Sequence, residues 1–155
     1  MTTQTTYTER LKDPRAGTIK SRDDTITGIC ETVAGIGFGL AVSQGANSDQ
    51  GTILGGTLDG YKGISAKDIT LLVSNADKYL PPNNMAILDK GEIWAEPGEA
   101  VNANDPVYFD GATGVLMKSG AVGPIPGAYW GSSCGIGGRA YVVLAGNRNN
   151  GISPT

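Results

Sequence analysis

The chain has 155 residues, of which 39% are hydrophobic, 17% are charged and 24 are glycine, so it reads as a single lean, loop-rich domain. Twelve basic and fifteen acidic side chains give a formal net charge of −3, which leaves no positive field to hold nucleic acid. Histidine is absent, and with it go the commonest general base, the commonest metal ligand and every Ser-His or Cys-His nucleophile arrangement.

Residues 1–31 differ from the rest of the chain. They carry five basic residues (Arg10, Lys12, Arg15, Lys20, Arg22), five acids, many threonines and few large apolar groups. Such a segment cannot build a core of its own, so it reads as an extended arm or as a disordered tail. Its first residues have neither the basic nor the apolar region of a signal peptide, and the chain has no apolar run long enough to span a membrane. The expectation is a soluble product.

From Thr32 to Val42, glycines at 35, 37 and 39 alternate with Ile36, Phe38 and Leu40, a period-two pattern that predicts a strand crowded by another backbone or turning a barrel corner. Residues 43–51 form a polar loop. Between Ile64 and Leu80 the residues allow a helix or a strand, and the β-prone Ile69-Thr70-Leu71-Leu72-Val73 favours the strand.

Short strands then recur: Met85 to Leu88, Glu92 to Ala95, Pro106 to Phe109, Val115 to Met117 and Ala140 to Leu144. Asp89-Lys90-Gly91, Glu96-Pro97-Gly98, Asp110-Gly111 and residues 120–138 punctuate them as turns. This pattern predicts an all-β domain, a sandwich, jelly roll or small β-barrel, over 32–147, with 148–155 as a short tail.

The possible chemical sites are weak. Neither Gly35-Ile36-Gly37-Phe38-Gly39 nor Gly135-Ile136-Gly137-Gly138 has the spacing of a phosphate loop, so no nucleotide cofactor is expected. Eight acids between residues 32 and 100 read as solvated turn residues, and no calcium loop is present. Cys30 and Cys134 cannot build a zinc site without histidine and read as two free thiols. No catalytic residue, cofactor or metal is expected. Trp94 sits beside Ile93 in a strand, so one of the two faces inward and the other outward; Trp130 lies in a glycine-bounded loop. Each tryptophan, with Tyr129, is either core filling or an interface anchor.

The order of these pieces resembles a known family. Leu88-Asp89-Lys90-Gly91-Glu92-Ile93-Trp94-Ala95-Glu96, followed by Val101-Asn102-Ala103-Asn104-Asp105-Pro106-Val107-Tyr108-Phe109, is similar to the body of tailed-phage structural cement proteins. Ile125-Pro126-Gly127-Ala128-Tyr129-Trp130 and Gly137-Gly138-Arg139-Ala140-Tyr141-Val142-Val143-Leu144 resemble the closing segments of phage head decoration proteins. Asn104 stands where the family usually has glycine, and Tyr129 where arginine is common.

The resemblance implies a β-rich domain, jelly roll or β-tulip-like barrel, on the outer surface of a virion and made in the host cytoplasm. Its partners would be the major capsid protein, whose neighbouring subunits it clamps, and other copies of itself as a dimer or trimer, with neither nucleic acid nor membrane involved. The arm would bind by strand addition, with Tyr7, Leu11 and Ile19 in shallow pockets and Arg15 among the polar contacts, while Trp94, Tyr129 and Trp130 are the body's candidate contacts. A carbohydrate-binding module using the same aromatic residues is the alternative from another class.

Overall fold

The computed structural model describes residues 16–32, 34–47, 49–53, 56, 60–67, 78–81, 84–120 and 122–145. Among them the chain forms strands β1 (Ile19–Cys30), β2 (Ile36–Gly37), β3 (Ala41–Gln44), β4 (Gln50–Thr52), β5 (Tyr61–Ser65), β6 (Lys78–Tyr79), β7 (Asn84–Ala95), β8 (Tyr108–Phe109), β9 (Leu116–Met117), β10 (Tyr129–Trp130) and β11 (Ala140–Ala145). The fold is all-β.

β1 and β7 are the two long strands, and they pair antiparallel from Ile19↔Ile93 to Ile29↔Asn84. The β-branched run Thr25, Ile26, Thr27 and Ile29 gives β1 its strand character. Residues 19–30, placed by composition in an extended arm, are thus a strand of the body. Low hydrophobicity misleads here because this strand needs only alternate apolar residues once β7 covers its backbone.

β1 also pairs parallel with β4, β4 pairs with β3, β3 with β5 and β5 with β7, closing a five-stranded barrel. On its far half β7 continues the sheet to β11 and β10. A side chain at Gly51 of β4 would collide with both Val42 of β3 and Met85 of β7. Because β3 and β7 are not neighbours in the sheet, that meeting point is the barrel interior.

The turn expected at Asp89-Lys90-Gly91 does not form, and the two strands read on either side of it are one. Both edges of β7 are paired here, so the polypeptide accommodates the triplet as a bulge. Leu88 faces Thr25 and Lys90 faces Asp24, leaving Asp89 as the extra residue, with Gly91 at φ 137°. Asp89 is consequently buried, not a solvated turn residue. The single strand expected from Thr32 to Val42 breaks instead into β2 and β3, because Gly35 and Gly39 take positive φ. The predicted crowding is present: a side chain at Gly39 would touch the Gly17 amide at 3.0 Å. Of the ambiguous 64–80 stretch, Ile64 and Ser65 end β5 and Lys78–Tyr79 form β6; residues 68–77 lie outside the described residues.

Two apolar clusters result. One gathers Cys30, Ile36, Val42, Tyr79, Met85 and Ile87. The other is larger and packs Ile64, Leu88, Ile93, Trp130 and Val142 of the main sheet with Val107, Phe109 and Leu116 from the region of the β8–β9 pair. The 101–105 turn beside it keeps its form without glycine: Asn104 stands at φ 74°, which asparagine tolerates better than most residues, and its amide donates to the Trp130 carbonyl at 2.7 Å.

Tyr61 of β5 is buried, and that burial, followed by the Asp89 charge, holds its phenol well above the ordinary value of about 10. The unfolded chain ionises first as pH rises. Tyr61 therefore contributes stability that is intact below about pH 10 and is lost above it, at a limiting slope of about 1.4 kcal/mol per pH unit. In alkaline denaturation the wild-type protein is expected to lose stability more steeply above pH 10 than Tyr61→Phe. Parallel curves would contradict this.

Candidate functional site

Period-two geometry sorts the residues of the β1-β7-β11-β10 sheet onto two faces. Ile93, Ala95, Ala140, Val142 and Trp130 point into the larger core cluster. Their neighbours Glu92, Trp94, Tyr141, Val143 and Tyr129 must then point out. The register aligns them: Tyr141 lies opposite Trp94, Val143 opposite Glu92, and Tyr129 opposite Val143.

On this outer face Trp94 and Tyr141 pack edge to face, ring centroids 5.5 Å apart and planes at 71°. Lys20 of β1 places its ammonium 4.5 Å from the centre of the Tyr141 ring and donates to Glu92 Oε1 at 2.8 Å. That hydrogen bond, ahead of an opposing desolvation, raises the Lys20 pKa above the ordinary lysine value. Gly131 makes room for the Tyr141 ring; any side chain there would run into it. The result is a partly exposed aromatic surface with one ion pair at its border, fixed on paired strands. Such a surface suits protein recognition, since aromatic residues supply area at low entropy cost and the ion pair fixes orientation.

The same geometry fits sugar stacking poorly. That use needs open ring faces lying side by side, whereas here the two rings are near perpendicular and Lys20 covers Tyr141. Among the described residues no three His, Cys, Asp or Glu side chains gather where they could hold a metal ion. Cys30 and Cys134 are both free thiols, and burial pushes each pKa up.

The residues singled out in the sequence fall in different places. Tyr7, Leu11 and Arg15 lie outside the described residues. Ile19 packs against the larger core cluster, opposite Ile93. Trp94 is half-buried on the outer face, and Tyr129 is 42% exposed beside Val143. Trp130 is 0% exposed: of the two roles open to it, it fills the core, and it does so from strand β10, not from a loop. Sequence reasoning missed Tyr141 as the partner of Trp94, and Lys20 and Glu92 as the ion pair beside Tyr141. The signal for Tyr141 was its alternation with Ala140 and Val142, which places it on the solvent side.

A comparison with curated proteins gives no match. A family model described as "structural cement protein (E217 gp24/Pam3 gp6)" matches residues 3–146, nearly the whole chain. An all-β barrel is consistent with that match, and the chain belongs to the phage structural cement protein family.

Proposed function

We propose that this protein sits on the outer surface of the phage head and clamps neighbouring major capsid subunits. The observation that carries the reading is the outward aromatic face of Trp94, Tyr141 and Tyr129, spread over the paired strands β7, β11 and β10 that extend the sheet beyond the barrel. It supplies one contact. The residues before Ala16 supply the second, by strand addition to an exposed sheet edge with Tyr7, Leu11 and Arg15 as its side-chain contacts. They start from the same region, because Gly17 and Thr18 exchange backbone hydrogen bonds with Trp94 at 2.7 and 2.9 Å.

Two contacts on different subunits make a bridge. Each is individually weak, since ordering a segment and immobilising side chains oppose binding. Repetition over a closed shell makes the sum strong, through the effective concentration that a tethered second contact experiences. Association of copies into a dimer or trimer would extend the same effect. The role needs no catalysis, and synthesis in the host cytoplasm precedes it.

The test is co-sedimentation with undecorated heads. A Trp94→Ala/Tyr141→Ser variant is expected to bind about 10- to 100-fold more weakly than wild type while remaining folded by circular dichroism. Unchanged occupancy by the folded variant would overturn the assignment of this face.

A further inference from the structure

We propose that the β10–β11 hairpin, residues 129–145, is the element that enters the partner, and that Ile136 at its tip is an anchor seated in an apolar pocket of a capsid subunit. This rests on the clamp reading and names the residue that reads the partner.

Four observations lead to it. First, the exposed large hydrophobic residues among those described, Tyr129 at 42% and Ile136 at 80%, both lie on this hairpin. A single exposed isoleucine is ordinary, but clustering of apolar exposure on one element is not. Second, the hairpin's only charged residue is Arg139, in a chain where 17% of residues are charged. Depletion of charge with enrichment of tyrosine is the composition of an interface centre.

Third, folding does not require an apolar residue at the tip. Residues 135–138 form a turn in which the Gly138 amide donates to the Gly135 carbonyl at 3.1 Å and Gly137 stands at φ 85°. This matches a type II turn with Ile136 at its first central position, which has no demand for a β-branched apolar side chain. Gly135 and Gly137 face open space, with nothing within 4 Å of where a side chain would begin. The turn thus holds Ile136 out between two bare positions.

Fourth, the base beneath the tip is rigid. Val101 and Cys134 exchange two backbone hydrogen bonds of 3.0 Å, Ser133 Oγ accepts from the Ala103 amide at 3.0 Å, and the Gly131 amide donates to the Tyr141 carbonyl at 2.7 Å. A pre-positioned anchor with a stiff β-branched side chain loses little freedom on binding.

The partner is a capsid subunit and not a lipid surface. The hairpin continues directly into the aromatic face at Gly131 and Tyr141, and it lacks the basic cluster that membrane surfaces attract. The pocket it fits is apolar, so this part of the affinity is insensitive to salt.

The experiment compares wild type, Ile136→Ser and Ile136→Val for co-sedimentation with undecorated heads at low and high salt, alongside melting temperature and sedimentation of the free proteins. Ile136→Ser is expected to bind about 10- to 100-fold more weakly at both salt concentrations, and Ile136→Val within a few-fold of wild type, with melting temperature unchanged. Wild-type occupancy by Ile136→Ser would overturn the proposal. So would a change in the free protein's oligomeric state, which would make Ile136 a contact between copies. Failure of the wild-type protein itself to bind heads would instead bring down the clamp reading on which the proposal rests.

Discussion

Replacing Trp130 with alanine is expected to lower the melting temperature by about 10–15 °C, the largest loss from any single side-chain truncation in the described body. The indole is fully buried in the larger core cluster, so truncation leaves a cavity lined by residues anchored on several strands. Cavities of this kind cost about 3–5 kcal/mol because the surroundings collapse only partly. The indole Nε1 also donates to the Met117 carbonyl at 3.4 Å, tying β9 to β10. The main chain at Trp130 holds the 101–105 turn from both sides, accepting from Asn104 at 2.7 Å and donating to Asp105 at 2.9 Å. Thermal denaturation followed by near-ultraviolet circular dichroism checks this; a shift of only a few degrees would mean that the cluster repacks around the gap.

The second large effect is expected at Gly63. Its φ is 156°, and a Cβ there would lie against the Leu88 carbonyl oxygen, well inside van der Waals contact, and 2.7 Å from Ile87 Cγ2. Backbone cannot swing aside as a flexible side chain can, so β5 and β7 would have to separate. Their registered pairing is short, Ile64↔Leu88 and Ser65↔Ile87, yet it is the pairing that closes the barrel. Gly63→Ala is therefore expected to cost about 2–4 kcal/mol in urea denaturation. Gly135→Ala, at a position with nothing nearby, provides the control and is expected to stay within about 0.5 kcal/mol of wild type. Equal stability of the two variants would contradict barrel closure at this point.

These two residues also show how far the sequence could be read. The all-β class was legible from short β-prone runs separated by glycine and proline, and the family from the Gly91 to Ala95 and Val101 to Phe109 order. Gly63 gave no local warning, since its need for a bare backbone comes from Leu88, distant in sequence. Asp89-Lys90-Gly91 misled for a similar reason: the triplet has turn chemistry, but strands from elsewhere in the chain occupy both edges and convert it to a bulge. Residues 19–30 read as arm because composition cannot show that β7 waits beside them.

The candidate face was legible only in part. That either Ile93 or Trp94 must point outward comes from strand alternation, and the structure turns Trp94 out. Its contact with Tyr141, and the approach of Lys20 to the Tyr141 ring, depend on the register of three strands, which no local pattern encodes. Trp130 and Tyr129 are adjacent in sequence and equally plausible as anchors, and only pairing with Val142 and Val143 sends one inward and the other out.

Bridging is tested most directly by the temperature at which undecorated heads rupture, measured with added wild-type protein and with the folded Trp94→Ala/Tyr141→Ser variant. A clamp raises the threshold with wild type and leaves it near the bare-head value with the variant. A threshold that wild-type protein does not move, at concentrations where it occupies the heads, would contradict the clamp.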